Sequence, residues 1–499
     1  MYTLGMPASP PSTAEIGRAT AWVGAASFVL GILDLITTLA CLRWWVSTTD
    51  FGLATLATAL MPVVDRLAGA GLGASIVRDQ LDDHDASSVF WLAVASSLLV
   101  LAILVVARGT IGAWFPQPVV ATLLVAFAAR VVAGSCGMVS GAMMTRALRF
   151  RELSLIRIAA GLADTAAKLG VAALAGNGHP ELGPWCFAVG PLANTAVTTI
   201  ALQLRRPWRP RFAFRPAIAR RAVRFTFAVS GGELLYYAYS NADYLVVGAW
   251  FGDAAVGVYR IAYELVLDVV RLLSMITAEI AFPIFVRVAS DARAAGAYLV
   301  RFTRQNLIVL APFLVFVAIE ADDLLVLLYP PMPPEAATAS RVLCFVGAVR
   351  TLGFIVPPLL AALRAERLVF AYNLFAAVIM PIAFVIGAAC ASGEGFVGVA
   401  WAWTAAYPIA FGVLLAMALP LARTSLAAYA RALAKIAACA VACALAGLAA
   451  RWLAPSTPLL RVLAVAAVVA TSFVALLARL ERITPASLVR GFRSAPPAG

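Results

Sequence analysis

Arg260, Glu264, Asp268, Arg271 and Glu279 fall within twenty consecutive residues and, at 100° per residue, share one arc of about 100°. A carboxylate or guanidinium at the centre of a bilayer costs roughly 2.5–3.5 kcal/mol on insertion scales. Such a stripe must therefore face a protein interior or a watery cavity. Its spacings predict ion pairs Arg260–Glu264 and Asp268–Arg271. Just upstream, Glu233, Tyr237, Asn241 and Tyr244 form a softer polar and aromatic face, flanked by Asp243 and Tyr236. Rings of this kind stack on sugars while hydroxyls and amides bond sugar hydroxyls; interhelical packing explains the tyrosines equally well. Elsewhere charge is sparse. Asp34 lies mid-helix, Asp65 and Arg66 sit in the inner half of the second helix, and Arg130, Arg341 and Arg350 interrupt other apolar runs. Asp164 and Lys168 have the spacing of a structural i,i+4 pair. Arg66, Arg130, Arg271 and Arg350 lack a full set of partners nearby in sequence.

These residues exclude much chemistry. His84 and His179 are the only histidines, so metal or triad chemistry has little material. The seven cysteines scatter through apolar runs without ligand spacing and read as packing residues. No metal and no cofactor are expected. No G-x-x-x-x-G-K-[ST] loop occurs, so ATP hydrolysis by that route is excluded.

The elements that must position these residues are membrane helices. The 499 residues are 63% hydrophobic and 13% charged, more apolar side chain than a soluble core of this size can hide. Apolar runs of spanning length recur, and an all-α chain of about fourteen transmembrane helices is expected. The boundaries predicted are a polar tail 1–21, six helices in 22–204, a basic connector 205–224, six helices in 225–418, two more in 433–479, and a tail 480–499. The first run is read as a retained helix, not a cleaved signal. The ninth helix reads as short, about 305–320, with an outward extension through LLVLLY left open.

Of the 38 basic residues, 36 are Arg, so the choice of Arg over Lys at any one site says little about bidentate anion recognition. Their distribution says more. With the N-terminus inside, 27 of the 38 fall in cytoplasmic segments; Arg43, Arg108, Arg451 and Arg461 fall opposite. This is a positive-inside pattern with both termini cytoplasmic, and it accounts for the net charge of +13 without nucleic acid. One inner loop, RDQLDDHD (78–85), is acidic. The connector RRPWRPRFAFRPAIARRAVR interleaves Arg with Trp208, Phe212 and Phe214; it reads first as an ordinary inner loop, and second as a segment for anionic headgroups. At an offset of 205, Trp45 matches Trp250, Gly52 matches Gly257, and Arg66 matches Arg271. A parallel six-helix repeat would produce such matches.

Several stretches in this order resemble the oligosaccharide flippases of the multidrug/oligosaccharidyl-lipid/polysaccharide exporter superfamily. They are TTDFGLATLATAL with GAGLGASIVRD, ALRFRELSLIR, PWRPRFAF, and NADYLVVGAWFGDAAVGVYRIAYEL with AFPIFVRVASD. The resemblance runs from about residue 20 to 420. Two departures are Pro330, where Gly is common, and RWWVSTTDFG, which lacks a Leu-Gly-Pro run. The resemblance implies two six-helix lobes around a central cationic cavity, with two helices appended. It implies transfer of undecaprenyl-diphosphate-linked oligosaccharide units across the inner membrane for surface or exported polysaccharide, by alternating access. Arg66, Arg130, Arg260, Arg271 and Arg350 then become candidates for the diphosphate, and Tyr237, Asn241 and Tyr244 for sugars. Asp34, Asp164, Lys168, Glu233, Asp243, Glu264 and Asp268 become candidates for pairing or for H+ or Na+ coupling. Expected partners are the lipid-linked oligosaccharide, membrane lipids and other polysaccharide-assembly proteins. A multidrug antiporter of the same superfamily is the first alternative. A membrane polymerase or ligase using Glu320, Asp322 and Asp323 is the second.

Overall fold

A computed structural model describes residues 13–481 apart from 70, 80, 115–116, 148, 206–207, 392 and 394. The described residues contain helices and no strand. Most of the tails expected at 1–21 and 480–499 lies outside them; residues 13–21 and 480–481 are helical, as parts of the first and last helices. In chain order the helices are α1 (Thr13–Trp44), α2 (Thr48–Leu67), α3 (Leu72–Asp79), α4 (Asp83–Val106), α5 (Arg108–Trp114), α6 (Val119–Arg146), α7 (Phe150–Gly176), α8 (Cys186–Leu204), α9 (Pro216–Ser240) and α10 (Ala242–Phe251). Then come α11 (Asp253–Tyr263), a π-helical turn at Glu264–Asp268, α12 (Val269–Val288), α13 (Ala292–Leu328), α14 (Pro334–Gly353), α15 (Val356–Ala362), α16 (Glu366–Cys390), α17 (Val397–Leu421), α18 (Leu426–Leu453) and α19 (Pro458–Glu481). Among the described residues, ten helical stretches are long and apolar enough to cross a bilayer.

The chain divides into two compact units meeting at Gly257/Val258. In the first, α8 packs on α6 and α7, α1 on α7, and α6 also carries α2 and α4. In the second, α13 runs beside α12 and α14, α17 packs on α14 and α16, and α18 and α19 pair with each other along α13.

Several expected single helices are broken. The second bends at Gly69, whose φ is 96° and whose missing side chain leaves room for Leu72, since a Cβ would come within 2.7 Å of it. The seventh breaks at Asn241, whose amide donates to the Tyr237 carbonyl at 2.9 Å and so closes α9. The ninth takes the outward extension through LLVLL to Leu328 and also runs inward to Ala292. With 37 residues, α13 is the longest helix among the described residues, its apolar middle flanked by the basic stretch 293–304 and the acidic turn 320–323. The connector is not all loop either: Pro216 starts α9 within it, in the position where a missing N–H costs nothing.

The acidic loop before α4, Arg451 of α18 and Arg461 of α19 all find partners of opposite charge. The acidic loop before α4 meets the basic connector, where Arg215 donates to Asp85 at 2.7 Å. Glu320, Asp322 and Asp323 near the end of α13 meet Arg451 of α18 and Arg461 of α19, with Arg451–Glu320 at 2.9 Å and Arg461–Asp323 at 3.0 Å. Arg341 closes on Asp322. Arg451 and Arg461 are therefore neutralised where they stand.

Within the first unit, α2 crosses Gly257 at backbone contact. A Cβ on Gly52 would lie 1.9 Å from the carbonyl oxygen of Asp253, and one on Gly257 would lie 1.8 Å from that of Thr48. Advancing the first residue pair by the 205-residue offset, in the sense 48 to 253 and 52 to 257, turns each contact into the other.

Candidate functional site

α2 reaches the site from a firm start. Ser47 caps its N-terminus and Asp50 returns the bond to the Ser47 backbone, a reciprocal arrangement that satisfies two end donors. The last turn presents Asp65 and Arg66, where a cation is favoured by the helix dipole. α6 contributes Arg130, Gly134, Ser135 and Met138, α8 contributes Thr195, and α9 contributes Tyr237. Together with Pro62 and Gly69 they line a cavity of about 520 Å³ in the first unit.

Each arginine here has a carboxylate from another helix. Arg66 pairs with Glu233 of α9 at 2.6 Å. Arg130 Nη2 donates to both oxygens of Asp65, at 2.7 and 2.9 Å. The Arg66 guanidinium also lies over the Tyr237 ring, 5.9 Å from its centroid. These four charged side chains are only partly exposed, so pairing is strong enough to hold the cavity's shape yet open to competition from an incoming anion. Each ion pair is neutral, and the charged residues that line the cavity itself are two arginines, Arg66 and Arg130, and one carboxylate, Asp65. The cavity continues into a groove of about 230 Å³ between α6 and α8. Gly134, Gly137 and Gly141 clear one wall, and Asn194, Thr195, Thr198 and Thr199 line the other.

The other candidates fall into three further places. In the first unit, Lys168 bridges Asp34 of α1 at 2.5 Å and Asp164 at 3.1 Å. Gly190 leaves space for this cluster, since a Cβ there would come within 2.3 Å of Asp164. Asp243 and Tyr244 are buried, with the Tyr244 N–H donating to the Asp243 carboxylate at 3.0 Å. They do not line the cavity, and neither does Asn241. In the second unit, Arg260 pairs with Glu264 at 2.8 Å and Asp268 at 2.9 Å, and Arg271 with Asp268 at 3.1 Å. Both pairs predicted from spacing are present. The π turn carries both carboxylates, and the fifth stripe residue, Glu279, is exposed. Arg350 is buried against aromatic rings: it donates to the Tyr263 hydroxyl at 2.6 Å, and its guanidinium lies 5.1 Å from the Trp403 centroid and 5.7 Å from that of Tyr407.

Of the sequence candidates, Arg66, Arg130 and Tyr237 line this cavity, and Glu233 stands beside it as the partner of Arg66. Sequence reading named Asp65 without making it a candidate, and it missed the Asn194–Thr199 wall. The glycine spacing of three and four along α6 was the available signal for that groove.

A family profile described as "Polysaccharide biosynthesis protein" matches residues 42–331. The chain is 23% identical over 377 residues to the lipopolysaccharide biosynthesis protein WzxC of Escherichia coli (strain K12), covering 75% of each. It is 21% identical over 354 residues to the teichuronic acid biosynthesis protein TuaB of Bacillus subtilis (strain 168), covering 69% of this chain and 70% of that one. Among solved structures, lipid II flippase MurJ in an inward closed conformation aligns with a TM-score of 0.73 at 13% identity, over 92% of this chain and 98% of that one. An inward-facing multidrug resistance MATE transporter of the MOP superfamily aligns at 0.57 and 14% identity, over 80% of this chain and 96% of that one. These likenesses establish the fold.

Proposed function

The chain belongs to the polysaccharide biosynthesis protein family, and on that premise we propose that it carries undecaprenyl-diphosphate-linked oligosaccharide units from the cytoplasmic to the periplasmic leaflet by alternating access. The observation that supports this best is the partly buried cavity holding Arg66 and Arg130 beside Tyr237, Ser135 and Thr195. In this reading the diphosphate displaces Glu233 and Asp65 from the two guanidinium groups, exchanging one charge-assisted set of bonds for another. Tyr237 and the neighbouring hydroxyls offer a ring face and hydrogen bonds to attached sugar. Arg260, Arg271 and Arg350 are further diphosphate candidates, and Asn241 and Tyr244 further sugar candidates. Coupling to H+ or Na+ would act through Asp34, Glu233 or Asp243. A proton on Glu233 would release Arg66 for the cargo.

The test is complementation of a deletion strain. Arg66→Ala and Arg130→Ala should each lower surface glycan at least tenfold, with lipid-linked units accumulating on the cytoplasmic side. Full activity of both variants at normal membrane abundance rules out the cavity assignment. Two observations weigh against the alternatives. Paired arginines suit an anionic group better than a cationic drug. The acidic stretch 320–323, the best candidate for a polymerase or ligase, is spent in ion pairs with Arg341, Arg451 and Arg461.

A further inference from the structure

Residues 208–215 are held against the start of α4 as a fixed shelf. The Trp91 Nε1–H donates to the Arg211 carbonyl at 2.8 Å. Backbone N–H groups of Arg211 and Arg215 donate to the hydroxyls of Ser87 and Ser88, at 3.2 and 2.9 Å. Beneath, Trp208 is buried against Phe90, ring centroids 5.6 Å apart. Yet Phe212, in the same shelf, is 98% exposed and stacked on Trp91 at 5.3 Å, and Phe214 is 53% exposed. Water gives no reason to pin a phenyl ring outward.

The level of the shelf supplies one. α8 and α4 are both long and apolar enough to span a bilayer, and the shelf follows the end of α8 at Leu204 and rests on the start of α4, a level where hydrocarbon would give way to water. Arg209, Arg220 and Arg224 are exposed in the same segment, the latter two one turn apart on α9. We propose that this shelf is an interfacial anchor for anionic phospholipid headgroups, Phe212 and Phe214 entering the acyl boundary while Arg209, Arg220 and Arg224 hold phosphate oxygens. Charge complementarity selects a lipid surface, and the outward aromatics select a surface with an apolar layer beneath its phosphates. The ion pair of Arg215 with Asp85 and the contact of Arg211 with His84 keep the shelf in place and take no part in binding.

Native mass spectrometry of the full-length protein, released from detergent with added phosphatidylglycerol or phosphatidylcholine, tests this. Wild type should retain phosphatidylglycerol preferentially. Each arginine near a membrane surface contributes on the order of fivefold, so the triple variant Arg209→Gln, Arg220→Gln, Arg224→Gln should weaken retention by roughly a hundredfold. Phe212→Ser should weaken it severalfold with all charges intact, whereas Arg287→Gln with Arg293→Gln, at the basic corner between α12 and α13, should leave it unchanged. Because every substituted side chain is exposed, unchanged melting temperatures are expected. Equal retention by wild type and the triple variant overturns the proposal. So does displacement of the lipid by inorganic phosphate at equal concentration, which would make the shelf a plain anion site.

Discussion

Arg66 and Arg130 are each held by one carboxylate from another helix, at 2.6 and 2.7 Å. Spacing could not disclose this, because the partners stand far apart in the chain; Arg260–Glu264, four residues apart, was legible from the sequence. A guanidinium in such a pair must give up its partner before it can take a phosphate, so the carboxylate competes with cargo. The sign of its removal follows. Glu233→Gln should tighten pyrophosphate binding to the purified protein by about fivefold, the worth of a partly exposed pair at roughly 1 kcal/mol. Arg66→Ala should weaken it by more. Isothermal titration separates the cases, and weaker binding by Glu233→Gln would show that the carboxylate positions Arg66 for the ligand and does not compete with it.

Among the elements, hydropathy located most of the spanning helices, since a twenty-residue apolar run has few other fates. It could not locate the bend at Gly69, the break at Asn241 or the π turn at Glu264–Asp268, because each depends on a local contact that average apolarity does not record. Helix crossings were legible only through glycine. The match of Gly52 to Gly257 rested on sequence offset alone, yet the two residues meet with no room for a methyl group. A backbone carbonyl stands at each collision, so no side chain can rotate away. Gly52→Ala and Gly257→Ala should each cost on the order of 1–3 kcal/mol through overpacking. Gly412→Ala, with open space around it, should cost none and gain slightly in helix propensity. Fluorescence-detected thermal melting of the three variants in one detergent checks the order; a Gly257→Ala protein as stable as wild type would mean that the crossing is not held this tightly.

For the whole molecule, charge decides which way the chain threads the membrane. The basic excess was legible from loop composition, but the exceptions were not, because they are cancelled by partners distant in sequence. Arg451 and Arg461 look like cations on the wrong side until Glu320 and Asp323 are seen against them. A buried carboxylate such as Glu320 would otherwise stand uncompensated, at a cost of about 3–5 kcal/mol. The acidic loop before α4 likewise loses its weight once Arg215 closes on Asp85. With both exceptions paired, the basic excess of the connector dominates, and it should place residues 205–215 in the cytoplasm. In a variant with its seven cysteines replaced, Cys introduced at the exposed positions Asn177 or Ser456 should react with a membrane-impermeant maleimide in intact spheroplasts. Cys at the exposed position Pro210 should react only after the membrane is opened. The opposite labelling would reverse the orientation and, with it, the direction of transfer proposed for the cargo.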